Sequence, residues 1–115
     1  MTVNFKLKQI NKIPVLAVTG RVVNTDSEKF HHRLEKLCSE NEQTIAVDFT
    51  EASFIDSFGL GALVRCFTLM QKSGRELIII SNHNDPQNYF TRLFEMTGLQ
   101  LIFKIVSSLE TIEVS

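Results

Sequence analysis

The chain has 115 residues, 43% of them hydrophobic and 22% charged, with a net charge of −1 and a pI of about 6.3. That suffices for one domain with a real core, and it offers no basic excess for a phosphate backbone, so nucleic acid is excluded as an expected partner. No apolar run is long enough for a signal peptide or a membrane span, and Cys38 and Cys66 have neither metal spacing nor a disulfide framework. A cytoplasmic protein with reduced thiols, no membrane insertion, no metal and no cofactor is the expectation.

In chain order, Val3, Phe5 and Leu7 alternate with Asn4, Lys6 and Lys8, the pattern of a half-exposed edge strand. Asn11, Lys12 and Pro14 mark a turn, and Val15 to Thr19 reads as a second strand ending at Gly20, close enough to pair with the first as a hairpin. Thr25 and Glu28 have capping-box spacing ahead of Phe30, Leu34, Leu37 and Cys38, which recur at helical intervals. Thr44 to Phe49 reads as a buried third strand. After it, Leu60, Leu63, Val64, Phe67 and Met70 trace a second helix that stops at Ser73-Gly74.

Leu77 to Ile80 is a continuous apolar run, as expected of a strand covered on both faces. Asp85 as cap and Pro86 as first residue open a third helix, with Tyr89 or Phe90, Leu93, Met96 and Thr97 inward and Gly98 at its end. Leu101 to Val106 reads as a fifth strand. Ser107 with Glu110 then caps a short last helix that turns Leu109 and Ile112 inward. The order ββαβαβαβα predicts one α/β domain over residues 1–115, with a mixed, mostly parallel sheet of about five strands and about four helices.

Chemistry concentrates at Phe54-Ile55-Asp56-Ser57-Phe58-Gly59-Leu60-Gly61. Ser57 falls at or beside a helix N-cap, where backbone N–H groups lack intrahelical partners. Gly59 and Gly61 strip side chains from the first turn, which suits a phosphoryl group on Ser57 or close approach by a partner's backbone. Asp56 reads either as a cap or as an aid to phosphoryl transfer. Asp48 reads as structural or as the rim of the site. Phe58, Ala62, Arg65 and Leu69 fall away from the buried stripe and form a candidate partner surface. Arg65, Lys72 and Arg75 read as solvated, as do His31, His32 and His83. Most of the nine phenylalanines read as core. A hydrolase elbow needs Gly-x-Ser-x-Gly, but Ile55 stands at the first glycine and no Asp–His pair completes a triad, so no catalytic residue and no enzyme are expected.

These motifs resemble the STAS domain, the fold of bacterial anti-sigma factor antagonists. Val47-Asp48-Phe49 and Phe54 to Leu63 match a strand ending in Asp-Leu, a spacer and Asp-Ser-Ser/Thr-Gly-Leu-Gly. Leu93-Phe94-Glu95-Met96-Thr97-Gly98-Leu99, followed by Ile102-Phe103-Lys104-Ile105, matches the family's helix–Thr-Gly-Leu–strand ending. The resemblance spans almost the whole chain. It implies a STAS-like fold and binding to an anti-sigma factor serine kinase, which displaces a sigma factor and so regulates transcription. Phosphorylation of Ser57 by that kinase breaks the complex, and a serine phosphatase restores it. The implied partner-binding residues are Asp56, Ser57, Phe58, Gly59, Gly61, Ala62 and Arg65. Two departures stand out. Phe58 occupies a position that is Ser or Thr in many members, and Gly20-Arg21-Val22-Val23-Asn24 lacks the usual acid. The resemblance also admits a docking subunit of a signalling scaffold or lipid-transport complex, with no phosphorylation cycle.

Overall fold

The computed structural model describes residues 3–41 and 43–109. Strands β1 (Asn4–Ile10) and β2 (Ile13–Val22) form the predicted hairpin, with β1 at the sheet edge. Asn11 and Lys12 take φ values of 52° and 66°, and a two-residue loop with both φ positive matches the twist of the strands it joins. Pro14 lies in β2 opposite Gln9 rather than in the turn. The chain continues through α1 (Thr25–Glu40), β3 (Ile45–Ile55), α2 (Ser57–Lys72), β4 (Leu77–Ile80), α3 (Tyr89–Thr97) and β5 (Lys104–Val106).

Strand order in the sheet is β1-β2-β3-β4-β5, with the β1–β2 pair antiparallel and the others parallel. Parallel crossovers keep one hand, so a sheet laid down in chain order puts successive helices on the same face. Phe30 and Leu34 of α1, Leu63 and Met70 of α2, and Phe90 and Phe94 of α3 accordingly share one core with Leu16, Val47 and Ile79. The alternate residues, Ile13, Val15, Ala46, Ile78 and Ile80, form the opposite face, which Leu109 helps to cover.

Several expectations are corrected. Thr25 and Glu28 do not form a capping box: Asn24 is the N-cap of α1 and its side chain makes no capping bond. Asp56, from a distant part of the chain, takes that role. Strand β3 runs six residues past Phe49 because β2 continues beside it as far as Val22↔Ile55. Helix α3 starts at Tyr89 under an Asn88 cap, because the Asp85 carboxylate accepts the Gln87 N–H in the preceding turn. Its buried face is Phe90, Thr91 and Phe94, and Met96 is 83% exposed. Phe90 fixes that rotation by stacking on Phe49 at 4.6 Å.

The fifth strand is shorter than Leu101 to Val106. Gly98, with φ 75°, leads into a 3-10 turn at Leu99–Leu101, and pairing resumes only at Lys104. The described residues contain three α-helices rather than about four. Leu109 is buried as expected, whereas Glu110 and Ile112 lie outside the described residues. Helix α2 buries a wider arc than its predicted stripe: Ala62 and Cys66 are buried too, because α1 packs alongside.

Arg75 is not simply solvated. Its Nη1 donates to the carbonyls of Cys38 (2.6 Å) and Asn41 (2.8 Å), and its Nε to the Ser73 hydroxyl (2.7 Å). Helix α1 has no basic residue in its last turn, so Arg75 supplies the cation from outside. Arg75→Ala should lower unfolding free energy by about 2 kcal/mol in a urea titration, the range for charged hydrogen bonds. Arg75→Lys should recover only part of it, since an ammonium lacks the planar fork.

Candidate functional site

The site stands at the carboxyl end of β3. Pairing of β3 with β4 ends at Asp48↔Ile80, whereas β2 and β3 continue together to Val22↔Ile55. The Asp56 N–H donates to the Val22 carbonyl at 3.0 Å, and the chain then turns into α2. Asp48 therefore lies within β3, where its Oδ1 accepts the Thr50 N–H and hydroxyl at 2.8 and 2.7 Å. Its role there is to shape the strand as β4 ends.

Asp56 is the N-cap of α2. Its Oδ1 accepts the Gly59 N–H at 2.9 Å, and its Oδ2 accepts the Asn24 N–H at 2.9 Å and the hydroxyl of buried Ser27 at 2.7 Å. One carboxylate thus satisfies orphan donors at the starts of two helices. Burial alone would raise its pKa. Hydrogen bonds from Gly59, Ser27, Asn24 and Phe58 outweigh that and hold it below the usual carboxylate value. Three donors engage both carboxylate oxygens, which makes Asp56 a cap that ties the starts of two helices.

Ser57 is the first residue of α2 and is exposed. Because Asp56 already caps the helix, the Ser57 hydroxyl has no hydrogen-bond partner among the described residues. The expected anion cradle is also partly filled, since Asp56 takes the Gly59 N–H. Phe58 is 52% exposed and rests edge-on against His31 of α1, with ring centroids 5.9 Å apart. Gly59 faces inward, where an added Cβ would come within 2.7 Å of Ile55 Cγ1. Gly61 is exposed and an added Cβ would meet nothing within 4 Å. Arg65 is exposed and makes no ion pair among the described residues. Ala62, only 5% exposed, lies in the groove between α1 and α2 beside Arg65.

Four contributors were not found by sequence reasoning. Tyr89, from the start of α3, donates its hydroxyl to the Ile55 carbonyl at 3.1 Å and packs on Phe54, at 5.3 Å between centroids. Arg21 covers the Phe54 ring at 4.5 Å, a cation–π contact across the β2–β3 pair. Ser27 and Asn24 bind Asp56. Only the run Val22 to Ser27, with an asparagine and a serine just before an apolar helix, hinted at a second structured helix start. No three His, Cys, Asp or Glu side chains among the described residues form a metal-binding set.

The carboxylate network carries a pH dependence. A folded pKa below the ordinary value stabilises the fold fully above the unfolded pKa of about 3.8, and that contribution is lost as pH falls through the folded value. Asp56→Ala should therefore cost about 2 kcal/mol at pH 7, from a lost cap and unpaired donors. The gap from the unsubstituted protein should narrow below about pH 4, read by denaturant titration across pH.

The family model for the STAS domain matches residues 4–112. The chain is 28% identical over 105 residues to an anti-sigma-B factor antagonist of Listeria monocytogenes, covering 91% of this chain and 88% of that one. Among solved structures, an anti-sigma factor antagonist from Mycobacterium paratuberculosis superposes with a TM-score of 0.80 at 16% identity, over 95% of this chain and 89% of that one. The Bacillus cell fate determinant SpoIIAA in its phosphorylated form superposes with a TM-score of 0.68 at 18% identity, over 93% and 95%. No helix of the described residues is long and apolar enough to cross a membrane. With a matching family model over nearly all its length, the chain belongs to the STAS domain family.

Proposed function

We propose that this protein is a cytoplasmic anti-sigma factor antagonist whose binding to an anti-sigma factor serine kinase is switched by phosphorylation of Ser57. The observation that carries the reading is the unpartnered Ser57 hydroxyl at the tip of α2, left free by Asp56. The relatives' names support it, as does a structural neighbour solved in a phosphorylated form. The unphosphorylated protein docks through Asp56, Ser57, Phe58, Gly59, Gly61, Ala62 and Arg65. Phe58 and Arg65 make the side-chain contacts, and Gly61 lets the partner's backbone approach. Gly59 and Ala62 hold that surface from beneath, by packing on Ile55 and along α1. Binding frees the sigma factor for transcription. The protein itself has no catalytic role.

Phosphorylation adds roughly −1.5 to −2 charges at neutral pH. The α2 start has already spent its Gly59 N–H on Asp56, and the new charge faces that neighbouring carboxylate. In solvent that is tolerable. In a dry interface an uncompensated charge costs several kcal/mol, so the complex dissociates while the fold persists. A serine phosphatase then resets the protein. The half-exposed Phe58 also supports a constitutive docking subunit of a scaffold or lipid-transport complex. That reading is distinguished by partner binding with no phosphoryl transfer.

The kinase encoded in the same genome should transfer label from ATP to this protein and not to Ser57→Ala, with unchanged melting. Label retained by the mutant would move the acceptor elsewhere, Ser53 being the alternative. Ser57→Asp should weaken the complex. Phe58→Ala should reduce affinity more than tenfold, about 2 kcal/mol, and barely move the melting temperature. Gly61→Ala should raise unfolding free energy by up to about 1 kcal/mol, because nothing obstructs its methyl, yet weaken binding. Titration calorimetry beside thermal melts reads both.

A further inference from the structure

A groove of about 250 Å³ runs between α1 and α2, lined by Leu34, Cys38, Ala62, Cys66 and Leu69 with Arg75 at one end. Both cysteines are free and almost fully buried, yet both reach this groove. They come from facing helices, Cys38 from the last turns of α1 and Cys66 from the middle of α2.

Their surroundings differ. Arg75 Nη2 lies 3.6 Å from the Cys38 Sγ, while Nη1 and Nε of the same guanidinium are held by carbonyl and hydroxyl oxygens. The guanidinium is thus held against the Cys38 sulfur, placed to stabilise negative charge that develops there as it reacts. The Cys66 Sγ lies 3.8 Å from the Met70 thioether in apolar surroundings. Burial pushes the Cys66 thiol up to about 12, charge and hydrogen bonding from Cys38 add to the rise, and the charge of Arg75 opposes it.

We propose that Cys38 and Cys66 form an oxidisable dithiol in the α1–α2 groove, a site for small hydroperoxides that closes to a disulfide between the two helices. The Cys38 sulfur attacks the terminal peroxide oxygen and the O–O bond breaks. The departing oxygen takes up the thiol's proton, which gives a sulfenic acid and water, or an alcohol from an organic hydroperoxide. Cys66 sulfur then displaces the hydroxyl from Cys38 sulfur. The S–O bond breaks, the S–S bond forms, and the Cys66 proton leaves with the hydroxyl as water. Two thiol hydrogens and two electrons pass to one hydroperoxide, and a thiol reductant reverses the change. The bridge would lock α1 to α2 beside Arg65 and Leu69, the far end of the docking face. Disulfides of cytosolic proteins are mostly of this transient, redox-sensing kind. The site is independent of phosphorylation.

The test treats the reduced full chain, freed of reductant, with hydrogen peroxide and reads intact mass, alkylation and peptide maps. The expected product has lost two hydrogens, resists alkylation until reductant is added, and yields a linked Cys38–Cys66 peptide. The exposed thioether of Met96 serves as an internal gauge of oxidant. Conversion of Met96 to its sulfoxide while both thiols still alkylate would overturn the proposal. In Cys66→Ser, a dimedone adduct should appear on Cys38, and in Cys38→Ser none should appear on Cys66. The reverse pattern would overturn the assigned order of attack.

Discussion

The donors that hold the Asp56 carboxylate come from two helix starts, Gly59 on α2 and Asn24 and Ser27 on α1. Asp56 sits at the end of β3, so this one group fixes both helices to the strand that lies beneath them. It also determines what its neighbour is free to do. A serine in the N-cap position would spend its hydroxyl on an N–H of the first turn. With the cap filled one residue earlier, Ser57 becomes the first helical residue and its hydroxyl stays available. Exposure of the serine is therefore a consequence of the acid before it.

The connection that begins with Asp56 ends with Arg75, and the two grip opposite ends of α1. Asp56 holds the amino-terminal donors, and Arg75 holds carbonyls at the other end. Helices α1 and α2 are thus tied by a complementary charge at each helix terminus as well as by packing. The phenylalanines divide in a related way. Phe5, Phe30, Phe49, Phe90, Phe94, Phe103 and Phe67 form a continuous chain of ring contacts from β1 to α2. Phe58 stands outside it, and Phe54 joins it only through Tyr89.

Local patterns were legible in the sequence. The β1–β2 hairpin, the helix after Ser57 and its stop at Gly74, and the four-residue strand at Leu77 all rest on alternation, helical spacing or glycine, which act within a few residues. What was missed depends on residues far apart in the chain. The α1 cap is Asp56 rather than Thr25 with Glu28, a bond across 32 positions that no capping box can announce. Arg75 looked solvated because its carbonyl partners lie 37 and 34 residues away. Met96 was expected inside on spacing alone, whereas the Phe49–Phe90 stack set the rotation of α3. At the site, Asp56, Ser57 and Phe58 were legible from the motif, but Tyr89 and Arg21 were not, since only the fold brings them to Phe54.

Strands that line up in chain order have a consequence for synthesis. Each newly emerged βα unit can dock on the edge left by the one before it, so the sheet can grow in the direction of translation without waiting for a distant strand. The helices cover one face as they arrive. The other face, with Ile13, Val15, Ala46, Ile78 and Ile80, receives Leu109 only after the last strand has formed. Until then that face of the nascent chain lacks the Leu109 side chain that helps to cover it.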